Sequence, residues 1–196
     1  MTADHDDAPI SARVRRLEAL LEDRGIVDGA TVDAVLDRFV GTASPANGAR
    51  LVARAWLDPE FRERLLRDGN AAVDEMGYSM SFGGEPQRLV VVENTPQTHN
   101  VVVCTLCSCY PLALLGPSPS WYRSESYRSR VVREPREVLA EFDVHLPEEV
   151  EVKVWDASSE ARYMVVPRRP AGTEACSAVE LSAMVTRQGL IGVAEV

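Results

Sequence analysis

Apolar side chains recur at three-to-four-residue spacing through the first part of the chain, and that period predicts helices. Val14, Leu17, Leu20 and Leu21 share one face of a segment from Ile10 to Leu21, which Gly25 closes. A second helix is expected over Thr31 to Val40, and a third over Ala46 to Leu57, striped by Leu51, Val52 and Trp56. Pro59 suits the first turn of a fourth, running to about Met76 and ending at Gly77. There the pattern changes. Arg88 to Val92 is β-branched and strand-like, Thr95-Pro96 turns the chain, and Val101 to Val103 forms a second apolar strand. Pro111, Pro117 and Pro119 interrupt regular structure, after which Trp121 to Val132 and Arg136 to Phe142 read as helices. Val150 to Asp156 and Arg162 to Val166 alternate like strands paired with each other. Glu180 to Arg187 is expected as a late helix and Leu190 to Val193 as a final strand. The fold class is α+β: a helical N-terminal arm over residues 1–77 followed by a layered α/β domain over 78–196.

Composition narrows what such a chain can do. Its 196 residues, 45% of them hydrophobic, allow one domain with a sizeable core. A formal net charge of −9 argues against nucleic acid or a membrane surface as partner, because phosphate-rich surfaces would repel it. A compact polar or neutral substrate is more natural. No apolar run approaches the roughly 20 residues of a membrane span. The opening Met-Thr-Ala-Asp-His-Asp-Asp lacks the basic-then-apolar order of a signal peptide, so a cytoplasmic protein is expected. Four cysteines in that setting point to metal or redox chemistry rather than a disulfide framework. Three of them, Cys104, Cys107 and Cys109, lie within six residues, while Cys176 stands alone.

The Cys-x-x-Cys-x-Cys loop follows directly on the strand ending at Val103. A zinc site would want a fourth ligand, from His99 or Cys176; an iron–sulfur cluster normally needs four cysteines; a Cys107–Cys109 disulfide would close a strained ring. A loop wrapping a metal with its own backbone suits the spacing better. Three sulfurs at i, i+3 and i+5 can face one side, with the amide nitrogens of Ser108 and Cys109 between them and a sixth octahedral position open. Amide nitrogen binds a metal only when deprotonated, which calls for a strong Lewis acid such as Co(III) or Fe(III). The small Ser108 permits the tight wrap.

Val-Cys-Thr-Leu-Cys-Ser-Cys-Tyr, residues 103–110, resembles the metal-binding signature of nitrile hydratase α-subunits. The resemblance extends in order through Leu51 to Pro59, Val92 to Pro96, Asn100 to Pro111, Trp121 to Phe142, Arg162 to Glu174 and the ending Leu-Ile-Gly-Val-Ala. It implies that family's α-subunit fold, and addition of water to a C≡N bond. Thr105 and Tyr110 resemble the cobalt-type loop, so one low-spin Co(III) is implied, with iron the alternative. It further implies Cys104 as thiolate, Cys107 as sulfinic acid and Cys109 as sulfenic acid, with the Ser108 and Cys109 amides completing the ligand set. The implied partners are a β-type subunit supplying arginines to the oxidised sulfurs, a cobalt-insertion activator protein and a small nitrile substrate.

Two positions depart from the family pattern. Leu112 and Ala113 stand where a Trp-Pro pair usually follows Cys-Ser-Cys-Tyr-Pro; either the site simply repacks, or a larger, bulky or heteroaromatic nitrile is admitted as in the toyocamycin-type branch. In Gly83-Gly84-Glu85-Pro86-Gln87, Glu85 takes the place of a usual glutamine and is either a solvated carboxylate or a proton relay. Cys109 and Glu85 are therefore the candidate catalytic residues. Cys176, His99 and His145 read as structural, His5 as part of a loose tail, Arg162 and Arg169 as structural or partner-facing, and Trp121 and Tyr122 as packing beneath the loop. Two rival functions remain. One is the cobalt subunit of thiocyanate hydrolase, whose resemblance includes the Pro117 to Arg123 stretch but whose usual arginine after Tyr-Pro is here Leu112. The other is a non-catalytic thiol metal carrier or redox sensor.

Overall fold

Caps set the helix boundaries in the first half of the chain. The computed structural model describes residues 8–82, 85–107 and 109–196, without the side chains of 8, 38–40, 82, 85 and 86. Two compact units result, Met1–Thr42 and Ala43–Val196. The first holds α1 (Ala8–Asp23) and α2 (Gly29–Thr42). The expected α1 stripe is there, but Ile10, Val14, Leu17 and Leu20 are all exposed.

The second unit begins with α3 (Pro45–Leu57), where Ser44 Oγ accepts from the Ala46 amide at 3.2 Å and Pro45 occupies the first turn. The single helix expected from Pro59 to Met76 is two, α4 (Pro59–Arg67) and α5 (Gly69–Glu75). Asp68 divides them: its backbone is extended, and its carboxylate accepts from the Ala71 amide, so it ends one helix and caps the next. These helices pack on the sheet strands behind them and α3 lies against a C-terminal helix. For that reason the compact units divide at 42/43, whereas the change of composition had suggested 77/78.

A short antiparallel pair, β1 (Ser81–Phe82) with β2 (Glu85–Pro86), leads into β3 (Arg88–Glu93) and β4 (Thr98–Val103). Short helices α6 (Leu112–Leu115), α7 (Ser120–Arg123), α8 (Glu125–Arg130) and α9 (Pro135–Glu141) follow. The expected helix from Trp121 to Val132 thus breaks at Ser124, whose hydroxyl caps α8 by accepting from the Tyr127 amide. Strands β5 (Glu151–Asp156) and β6 (Ala161–Val166) come next. They do not pair with each other as expected. β3 pairs with β6 and β4 with β5, both parallel, in registers that set Val92 against Val165 and Val103 against Asp156. Parallel ladders need partners distant in sequence, which local alternation does not reveal.

α10 (Ala178–Met184) opens on a capping box between Ser177 and Glu180 and packs on α3. The expected strand from Leu190 to Val193 is instead the end of a helix, α11 (Arg187–Ile191), capped by Thr186 and closed by Gly192 at φ 90°. An added Cβ at Gly192 would lie 1.9 Å from the Asn100 carbonyl oxygen, so only glycine lets this turn sit against β4. Leu51, Phe61, Leu65, Val101, Met164 and Leu190 fill the core without exposure, each contributing about 1.5–3 kcal/mol by burial. Among the described residues, no helix is long and apolar enough to cross a membrane.

Candidate metal centre

β4 is buried from His99 to Val103, and beyond it the loop rises from the buried Cys104 to the exposed Cys107. Cys104 is 1% exposed, Cys109 intermediate and Cys107 exposed. Their Sγ atoms lie within 4.8 Å of one another, Cys107 being 3.3 Å from Cys104 and 3.2 Å from Cys109. Thiolates about 2.3 Å from a common ion stand about 3.8 Å apart in a tetrahedron but about 3.3 Å apart at right angles. The two spacings are short enough for the sulfurs to share one ion, and with no fourth side chain in the group among the described residues the set falls short of a closed four-ligand zinc site. Neither His99 nor Cys176 joins the cluster among the described residues. The Cys107 amide donates to Cys104 Sγ at 3.3 Å. Burial, followed by the hydrogen bond with Cys107, pushes the Cys109 thiol up to about 12, while the charge of Arg162 pulls the other way. Ser108 and its amide lie outside the described residues, as do His5, the 83–84 pair and the side chain of Glu85.

The loop is held from several directions. Asp156, the last residue of β5, accepts from the Thr105 amide with Oδ1 at 2.9 Å and from Thr105 Oγ1 with Oδ2 at 2.6 Å. Register explains the placement, because Asp156 pairs with Val103, two positions before Thr105. On the other flank, Arg128 Nη1 of α8 donates to the Thr105 carbonyl at 3.3 Å. Underneath, Tyr122 Oη donates to the Cys109 carbonyl at 3.1 Å and Tyr127 Oη to the Val102 carbonyl at 2.7 Å. Trp121, Tyr122 and Tyr127 meet edge-on or tilted, with ring centroids 5.0–6.0 Å apart. Burial raises the pKa of both tyrosines well above the ordinary value, so they serve as hydroxyl donors. At the rim, Leu106 is 88% exposed and Leu112 is partly buried.

The structure brings the three loop cysteines together, with Tyr122 bonded to the Cys109 carbonyl and Trp121 packed on Tyr122. Arg169 is structural: it donates to the Trp56 and Thr173 carbonyls and to Thr173 Oγ1. His99 is buried, with Nε2 2.7 Å from the Gly192 carbonyl and Nδ1 3.4 Å from Asn94 Nδ2. Desolvation lowers its pKa. Sequence reasoning missed Asp156 and Arg128. The correct pairing of β5 with β4 would have pointed to Asp156; no local pattern marks Arg128.

A strand-end loop of three converging thiols, cradled by aromatic hydroxyls and one carboxylate, defines a thiolate metal-centre protein. The nitrile hydratase alpha chain family model matches residues 8–194. The low-molecular weight cobalt-containing nitrile hydratase subunit alpha of Rhodococcus rhodochrous is 47% identical over 192 residues, 98% of this chain and 91% of that one. The thiocyanate hydrolase subunit gamma of Thiobacillus thioparus is 47% identical over 164 residues, covering 80% of this chain and 68% of that one. Among solved structures, a double mutant of the Fe-type nitrile hydratase of Comamonas testosteroni Ni1 superimposes with TM-score 0.89 at 43% identity, covering 97% of this chain and 91% of that one. The chain belongs to the nitrile hydratase alpha-chain family, and is therefore a subunit of an enzyme.

Proposed function

We propose that this chain is the metal-binding subunit of a cobalt-type nitrile hydratase of the cytoplasm, acting with a β-type partner to convert a bulky or heteroaromatic nitrile to its amide. The observation that carries the reading is the convergence of the Cys104, Cys107 and Cys109 sulfurs at the end of β4. The three sulfurs and the amides of Ser108 and Cys109 would hold one low-spin Co(III), delivered by an activator protein. When bound, that ion supplies Lewis acidity, polarising a nitrile or acidifying water.

The rest is the work of this chain's residues. Oxidation susceptibility follows exposure, and exposure falls from Cys107 through Cys109 to Cys104. This order supports sulfinic acid at Cys107, sulfenic acid at Cys109 and thiolate at Cys104. The oxygen of a Cys109 sulfenate acts either as the nucleophile or as the base that takes a proton from the attacking water, and Glu85 relays a proton that ends on the nitrile nitrogen. Water adds across C≡N and the imidic acid tautomerises to the amide, with no net electron transfer. Leu112 at the rim in place of a larger indole leaves room for a wide substrate.

Metal analysis with peptide mass mapping of the 104–109 fragment tests the centre. Cobalt with two added oxygens on Cys107 and one on Cys109 is expected; exchangeable zinc on unmodified thiols would instead make the chain a metal carrier. Turnover of a bicyclic heteroaryl nitrile should exceed that of acrylonitrile, and preference for the smaller substrate would remove the assignment of a wide pocket. A second reading, thiocyanate hydrolysis, is favoured by the 47% identity to the thiocyanate hydrolase subunit gamma. Release of carbonyl sulfide from thiocyanate without amide formation from any nitrile would establish it in place of the first.

A further inference from the structure

Arg128 reaches the cysteine loop and forms no ion pair with a carboxylate among the described residues. Four arginines of the second unit do have carboxylate partners, among them Arg62 with Glu93, Arg64 with Glu75, and Arg130, on the same helix as Arg128, with Glu134 and Glu141. Arg128 Nη1 donates to the Thr105 carbonyl at 3.3 Å, while its Nε is buried without a hydrogen-bond partner among the described residues. Arg162 Nη1 donates to the Ser158 carbonyl. A partly buried guanidinium with only a backbone oxygen to satisfy it is costly unless a negative charge stands near.

The loop supplies that charge once it is loaded. A trivalent ion held by three anionic sulfurs and two deprotonated amides leaves the centre anionic. Water screens such a charge poorly on its buried side, where Cys104 sits and α8 packs. We infer that Arg128 is a positioning residue that compensates the negative charge of the metal-loaded, oxidised loop from within this chain. The inference rests on the metal-centre reading above. It makes half of the charge clamp intrinsic, present before any partner subunit docks. Arginine suits the task because its planar fork can donate to the backbone with one nitrogen and present charge with the rest.

The test uses the complete holoenzyme and reads cobalt retention under a chelator, the oxygen count on Cys107 and Cys109 by mass, and the sulfur-to-metal charge-transfer band. Arg128→Gln keeps a donor for the Thr105 carbonyl and removes the charge; it should lose cobalt about 10–100-fold faster, with a shifted band and fewer added oxygens. Arg128→Lys should recover much of the loss, and Arg130→Met, lacking a charge already matched by Glu134 and Glu141, should show none. Gln retaining metal like the parent, or Lys failing as badly as Gln at unchanged thermal stability, would overturn the inference. If the unmutated enzyme itself holds no cobalt and no added oxygens, the failure belongs to the metal-centre reading instead.

Discussion

Asp156→Ala should loosen the cysteine loop without unfolding the domain. The substitution removes two acceptors, Oδ1 on the Thr105 amide at 2.9 Å and Oδ2 on the Thr105 hydroxyl at 2.6 Å. Hydrogen bonds to an ionised group are worth about 1.5–3 kcal/mol each when their partners are buried. Asp156 is exposed, so water replaces much of what is lost and the pair together contributes about 1–2 kcal/mol. That is about a tenfold rise in the population of the open loop, confined to residues next to Thr105, because β4 keeps its parallel ladder with β5. Hydrogen exchange on the holoenzyme is the assay: the Thr105 amide should exchange about ten times faster in Asp156→Ala, and by an intermediate factor in Asp156→Asn, which keeps one acceptor. Amides of Val101 to Val103 should be unchanged. An unaltered Thr105 rate, or acceleration spread evenly along β4, would show that Asp156 supports the sheet and not the loop.

Three other outcomes follow from the same structure. His99 carries its proton on Nε2 toward the Gly192 carbonyl, and desolvation lowers its pKa; its stabilising contribution is complete above the unfolded value of about 6.5 and is lost as pH falls toward the lower folded value, at about 1.4 kcal/mol per pH unit. Chemical denaturation across pH 5–8 should show that slope, and His99→Gln should flatten it. Gly192→Ala should cost about 2–4 kcal/mol through left-handed strain and collision with the Asn100 carbonyl, and a melting temperature within a degree of the parent would contradict the packing described. Glu85→Gln should lower turnover while cobalt content is retained; unchanged kinetics across pH would take Glu85 out of the mechanism.

The helices were legible where a cap and an apolar stripe coincide, as in α3 with Ser44, Pro45 and Leu51. They were misread where a cap was hidden inside a longer stripe, as with Asp68 between α4 and α5. The run Leu190 to Val193 shows a different failure. A short apolar run fits a buried strand or a helix equally well by periodicity. Here the decision comes from Thr186, which accepts from the Gly189 amide at 3.1 Å, and from the left-handed Gly192. The pairing of β5 and β6 was the larger miss. The Ser158 amide does bond to the Ala161 carbonyl at 3.1 Å, so a tight turn exists between the strands. Beyond that turn they diverge, each into a ladder with a strand about 50 to 70 residues earlier, a pairing set by side-chain burial and not by local alternation.

The same division explains why the centre was readable and its cradle was not. All the sulfurs lie between Cys104 and Cys109, so their convergence needs only local backbone geometry, which spacing conveys directly. The groups that hold the loop reach it across the sequence: Asp156 from β5, Tyr122 from α7, and Tyr127 and Arg128 from α8. Their residue types are ordinary, and only the tertiary fold gives them a role. Such a loop can therefore retain its thiols while its chemistry is altered from outside, by moving a carboxylate or unpairing a guanidinium. Variation in substrate or metal handling among chains with this loop should accordingly be sought around Leu112, Arg128 and Asp156 before it is sought in the cysteines.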